Sequence, residues 1–181
     1  MLTGDGAVGN QAFDAGADEI LSSPVFGAGL PAEAERHLRE AALSYHSGDV
    51  AEQHLFEARR IAPTHVAVLI ALYRFYFYKN RLEDTLEIAR TCLTRAAIDN
   101  SLPLDWREVR RGDAAFDSYD AVLPRFFMFV LKGYAYLQLR LGEYEEGREA
   151  ANKLLELDPT DKVGATLLIS VLDGMEAEDV D

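Results

Sequence analysis

The chain has 181 residues, 49% of them apolar and 27% charged, enough for one folded domain with tails, and its formal net charge is −13. Residues 1–35 carry six acids and no Lys or Arg, and residues 173–181 carry five acids; all 18 basic residues therefore lie in 36–172, against 20 acids, and that segment is near neutral. The charge pattern lacks the basic stripe that nucleic acid requires and makes an anionic membrane a poor partner. The single cysteine, Cys92, excludes an internal disulfide framework and fits a reducing compartment. No basic-then-apolar leader and no apolar run of membrane-spanning length is present, so a cytoplasmic location is expected.

From Met1 to Gly29 the chain is rich in Gly, Ala, Ser and Asp without sustained periodicity, which predicts a flexible acidic arm over 1–30. The apolar end of this arm, Ile20, Leu21, Val25, Phe26 and Leu30, suits a short docking segment. Pro31 fits a first helical turn, and Glu33 and Glu35 favour the positive end of the helix dipole. This helix is expected to run to about Ser47, where Ser47, Gly48 and Asp49 supply a stop and a new start. A second helix covers about 49–61 and ends before Pro63. A third over 66–79 places Leu69, Leu72, Tyr73 and Tyr76 at helical spacing. After a turn at Asn80 and Arg81, Leu82, Leu86, Ala89 and Leu93 mark the inward stripe of a fourth helix that fades near Ile98. Residues 98–124 break the rhythm with Asn100, Pro103 and Gly112, and 106–111 suits one or two helical turns. A long helix over about 121–141, a turn at Gly142 and a helix over 143–157 follow. A last helix over about 161–172, with Leu167, Leu168, Val171 and Leu172 on one side, precedes an acidic tail.

An internal repeat lies under these elements. Leu141, Gly142, Glu143, Tyr144, Glu145, Glu146 and Gly147, followed by Leu154, Leu155, Glu156, Leu157, Asp158 and Pro159, resemble the second half of a tetratricopeptide repeat; Leu131, Tyr134 and Ala135 occupy the large, large and small places of its first helix. Stepping back 62 residues places Leu69 under Leu131 and Leu72 under Tyr134, with Ala97 at the terminal proline position. A further step of 34 reaches Pro63, behind Ala51, Leu55 and Ala58. The resemblance implies an all-α, right-handed solenoid of helical hairpins over 31–172, with repeats at about 33–63, 64–97 and 126–159, an insertion over 98–124, and a capping helix over 161–172. Tyr73, Thr85 and Cys92 depart from the small residues of the repeat, and the first repeat is shortened.

The family presents the first helix of each repeat along a concave groove. Carried over, the third repeat supplies Phe129, Lys132, Tyr136, Leu139 and Arg140, the second Ala67, Ile70, Arg74, Phe77 and Tyr78, and the first Glu35, Leu38, Ala42, Tyr45 and His46. This aromatic and cationic lining suits a peptide with apolar anchors and an acid or C-terminal carboxylate, although so dense a run of rings also suits a core. The asparagine-containing clamp of some co-chaperones is disfavoured, because Asn10, Asn80, Asn100 and Asn152 all lie off the inner faces.

Other motifs carry little chemistry. Gly4, Gly6 and Gly9 spell a glycine-rich pattern with no room for a preceding strand. His37, His46, His54 and His65 sit on separate elements without ligand spacing, so solvated or capping roles are expected and no metal site. Cys92 lies on an apolar stripe and reads as packed. Trp106, beside Arg107, Arg110 and Arg111, is either an interface residue or the anchor of the insertion.

The resulting expectation is a non-enzymatic, cofactor-free adaptor or chaperone-like module. It would bind a protein or peptide with acidic or apolar anchors through Arg74, Phe77, Tyr78, Phe129, Lys132, Tyr136, Arg140 and Trp106. The alternative expectation is an arm docked in its own groove or a neighbour's, the latter giving a homodimer. The segment 134–163 also resembles short repeat proteins of bacterial operons, nitrogen-fixation and type III secretion clusters among them.

Overall fold

The structure, a computed structural model, describes residues 18–20 and 22–178, which contain helices and turns but no strand. Gly4, Gly6, Gly9, Leu21 and the last three tail residues lie outside the described residues. The described residues divide into two compact units, one of residues 24–95 and one of residues 96–178 with 18–20, 22 and 23.

The first unit opens with a helical turn, Pro24–Gly27, that packs on helix α3 (Val66–Tyr78) and buries Phe26. The described end of the expected arm is thus part of the fold. Helices α1 (Ala32–Leu43) and α2 (Gly48–Ile61) form a hairpin whose facing residues are Ala34 and Ala41 on one side and Ala51, Leu55 and Ala58 on the other. Small side chains at i and i+7 let the two backbones approach closely. Helix α1 stops four residues earlier than expected, and the chain reverses through tight turns in which the Tyr45 N–H reaches the Ala42 carbonyl at 3.4 Å and the Ser47 N–H the Ser44 carbonyl at 2.8 Å. Helix α3 is apolar around most of its circumference and buries seven of its thirteen residues, as befits the centre of the unit. His65 caps it, accepting the Ala67 N–H at 3.2 Å through Nδ1, while its Nε2 lies 3.0 Å from the Ala28 carbonyl.

Helix α4 (Leu82–Asp99) follows α3 through a tight reversal. Asn80 takes the left-handed conformation (φ 57°), the Arg81 N–H reaches the Tyr76 carbonyl at 2.9 Å, and the Asn80 N–H reaches Phe77 at 3.0 Å. These bonds make a Schellman end. Arg81 then ties three parts of the unit together, donating to Glu52 and Asp84 at 2.7 Å each and covering the Tyr76 ring. Burial, with Glu52 beside it, pushes the Tyr76 hydroxyl up to about 12.

In the second unit, helices α5 (Val122–Arg140) and α6 (Tyr144–Leu157) form a hairpin and α7 (Ala165–Glu178) packs on both. The α5–α6 turn repeats the same ending: Gly142 has φ 84°, Glu143 N–H donates to Gln138 at 2.9 Å, and Gly142 N–H to Leu139 at 3.1 Å. A Cβ on Gly147 would come 3.2 Å from the Ala135 carbonyl, so the missing side chain sets how closely α6 lies on α5. Helix α7 begins at Ala165, four residues later than expected. Asp161 and Gly164 are left-handed (φ 55° and 79°), and the Asp161 carboxylate accepts the N–H groups of Ala165 at 2.6 Å and Thr166 at 3.1 Å. The buried stripe differs from the expected one. Ala165, Leu168 and Leu172 face inward, whereas Leu167, expected inward, is 65% exposed, and Val171 is partly exposed.

The insertion is strapped to this unit. It contains two 3-10 turns, Trp106–Glu108 and Arg111–Asp113, and buries Leu102, Trp106, Val109 and Phe116. Lys153 of α6 donates to the Val109 carbonyl at 3.1 Å, and Asn100 donates to the Leu123 carbonyl at 2.9 Å.

Candidate functional site

One face of α5 carries Arg125, Met128, Phe129 and Lys132, at the i, i+3, i+4, i+7 spacing that places them in a single row. The insertion supplies Phe116, Ser118 and Tyr119 across from that row, and the α6–α7 loop supplies Asp161, Lys162, Val163 and Gly164. Together they enclose a cavity of about 370 Å³ within the second unit. Phe116 is fixed at its base by the ring of Phe127, 5.9 Å away.

Three cations converge on this cavity. Arg125 donates to the Tyr119 carbonyl at 2.8 Å and lies 3.8 Å from Glu19. Lys162 stands 5.3 Å from the centre of the Tyr119 ring and donates to the Thr160 hydroxyl at 2.6 Å. Lys132 is half-buried on α5, and burial lowers its pKa from the ordinary lysine value even though Asp161 opposes the shift. The described residues offer its ammonium no carboxylate within ion-pair distance. Asp161, the one acid of the lining, is committed to capping α7.

The loop that holds Lys162 is itself held by Asp158, which is 1% exposed. Burial alone would raise this carboxyl. The Thr160 hydroxyl, the N–H groups of Lys162 and Thr160 and the Lys162 charge outweigh burial and hold it below the usual aspartate range. Two of the three cations have a carboxylate beside them, Glu19 at 3.8 Å from Arg125 and Asp158 at 4.0 Å from Lys162. A carboxylate entering beside Phe129 and Tyr119 meets cations already in place, and the desolvated Lys132 gains most from its arrival.

Of the residues expected from sequence, Phe129 and Lys132 line this cavity. Tyr136 and Arg140 sit further along α5 and pair with each other, the guanidinium donating to the phenol oxygen at 2.9 Å. Leu139, placed in the groove by the repeat register, is buried in the core instead. Arg74, Phe77 and Tyr78 lie on α3 in the first unit, where Phe77 stacks on Tyr73 and Tyr78 is exposed. Trp106 is 6% exposed, tilted against Tyr134 at 6.2 Å and covered by Arg107, which pairs with Glu146 and Glu149. Its position is that of the anchor.

Arg125, Tyr119 and Lys162 were not singled out from the sequence. Arg125 lies one turn before Phe129 on the same face, so extending the α5 row backwards finds it. Lys162 and Tyr119 enter through loops, where sequence spacing carries no directional signal. Two histidines 17 positions apart also meet: His37 and His54 of the first unit bring their Nδ1 atoms to 3.0 Å. No group of three or more His, Cys, Asp or Glu suited to a metal ion occurs among the described residues, and no described helix is long and apolar enough to cross a membrane.

No protein-family model matches the chain, and no solved structure does. Among curated proteins it is similar to an uncharacterized 19.8 kDa protein in the nifW 5′ region of Azotobacter chroococcum mcd 1, with 42% identity over 139 residues, 76% of this chain and 77% of the relative.

Proposed function

The chain belongs to the family of the uncharacterized 19.8 kDa protein of the nifW 5′ region, and on that premise we propose that it is a tetratricopeptide-like protein-interaction module, an adaptor or chaperone-like factor rather than an enzyme. Its second unit holds an acidic segment or C-terminal carboxylate of a partner protein. The observation that carries this reading is the meeting of Arg125, Lys132 and Lys162 around one aromatic-walled cavity. Acidic side chains supply the charge and neighbouring apolar residues pack on Phe129, as in peptide recognition by other helical scaffolds. The gene position in the relative's name favours an accessory role beside nitrogen-fixation proteins, with the partner made from the same neighbourhood.

A fluorescein-labelled octapeptide of alternating Glu and Leu with a free C-terminus is a direct probe. Fluorescence anisotropy is expected to show binding that falls at least tenfold in Lys132→Met and in Lys162→Ala. Equal binding by both variants and the unaltered chain would sink the reading.

A second reading rests on Phe26. This residue is 4% exposed in the turn that packs on α3, the helix bearing Arg74, Phe77 and Tyr78. We propose that the arm covers part of that helix within the same chain and competes with ligands for it. Phe26→Asp should then increase capture of a partner by the first unit; unchanged capture with intact helix content would dismiss the competition.

A further inference from the structure

Lys132 differs in its surroundings from the other three lysines, Lys79, Lys153 and Lys162. Lys79 donates to the Tyr45 carbonyl at 3.4 Å and lies over the Tyr45 ring. Lys153 donates to the Val109 carbonyl and pairs with Glu156 at 2.9 Å, and Lys162 donates to the Thr160 hydroxyl. The Nζ of Lys132 instead reaches across the cavity wall to Gly164, which is left-handed at φ 79° and carries no side chain to cover it; a Cβ there would stand 3.8 Å from the nitrogen. Asp161, whose charge opposes the effect of burial on this amine, is spent on the first N–H groups of α7.

An amine withdrawn from water holds its proton less firmly than a solvated one, and the unprotonated form is the nucleophile. The same cavity, about 370 Å³ and walled by Phe116, Met128 and Phe129, has three cations and one acid in its lining, a balance that draws in small anions. We propose that Lys132 is a site of acylation by small acyl phosphates, its Nζ taking the acyl group while Arg125 and Lys162 attract the phosphate. The Nζ lone pair attacks the carbonyl carbon and the N–C bond forms. The bond from that carbon to the phosphate oxygen breaks, its electron pair leaves with inorganic phosphate, and the proton lost from nitrogen goes to that phosphate. The products are an uncharged amide on Lys132 and phosphate, with no change of oxidation state. The step involves no peptide, so it is tested apart from the peptide reading of the cavity.

The full chain is incubated with acetyl phosphate at pH 8, and acetylation at each lysine is followed in time by peptide mass spectrometry. Lys132 is expected to react at least tenfold faster than the exposed Lys79, and excess inorganic phosphate should slow it several-fold. Arg125→Gln and Lys162→Gln should each slow Lys132 several-fold more with acetyl phosphate than with the uncharged donor N-hydroxysuccinimide acetate, a difference that loosened packing does not produce. Lys162→Gln serves alone if Arg125→Gln loses helix content by circular dichroism. Lys132 reacting no faster than Lys79 in the folded chain, or a rate with acetyl phosphate that a folded cation variant leaves unaltered, would overturn the assignment.

Discussion

At Asp158 a buried charge is held by the very loop it organises. The carboxylate accepts from Thr160 and Lys162 while almost wholly enclosed, and its folded pKa lies below its ordinary value of 3.8. The carboxylate therefore stabilises the second unit at all pH values above about 4, and the contribution is lost as pH falls from there through the depressed folded value. Asp158→Asn is expected to cost about 2 kcal/mol at pH 7, and urea midpoints should show the gap to the unaltered chain narrowing as pH falls below about 4. Trp106 presents the opposite case, an apolar anchor. Trp106→Ala should cost about 3–5 kcal/mol by chemical denaturation, because it removes the ring that Arg107 and Tyr134 enclose. Cys92 is 2% exposed and burial pushes its thiol up to about 12. Native protein at pH 8 should leave a disulfide reagent such as dithionitrobenzoate unreacted, with one thiol appearing on unfolding. The packed cysteine was legible from its place on an apolar stripe. The anchoring role of Trp106 was not, because aromatic and Arg together describe an interface and a strap equally well.

Among the elements, three helix ends close in the same way. Asn80 and Gly142 are 62 residues apart, the offset at which Leu69 aligns with Leu131, and both take left-handed backbone with the same pair of closing hydrogen bonds. Ser101 ends α4 in the same way, its φ at 55° and the Leu102 N–H on the Ala97 carbonyl at 2.8 Å. Gly142→Ala should destabilise by about 1 kcal/mol, measurable as a lowered melting temperature. Gly147→Val should cost about 1–3 kcal/mol by overpacking α6 against the α5 backbone. Helix existence and most boundaries were readable because apolar spacing and the turn residues Asn80, Pro63 and Gly142 agree. Of the two misplaced ends, at Ser44 and Asp161, the second arises from a side chain that accepts the backbone N–H groups of Ala165 and Thr166. Composition does not show which backbone group such a side chain will choose.

For the molecule as a whole, the arrangement of charge matters more than its total. Eleven of the acids sit in residues 1–35 and 173–181, while the proposed binding cavity is lined by three cations and a single committed acid. Binding of the acidic octapeptide should accordingly weaken several-fold between 50 and 300 mM NaCl, roughly as screening shortens the range of such contacts to a few ångströms; salt-independent binding would place the affinity in the aromatic wall instead. The sequence by itself determined the all-helical class and the order of the helices, because helical periodicity is local, while Phe129 and Lys132 entered through the repeat resemblance and line the cavity. Only the tertiary structure decided that Arg125, Tyr119 and Lys162 join them, that Leu139 and Trp106 turn inward, and that His37 meets His54. Each of these depends on a loop path or a helix pairing across tens of residues, and contact between distant segments is set by packing that no local pattern encodes.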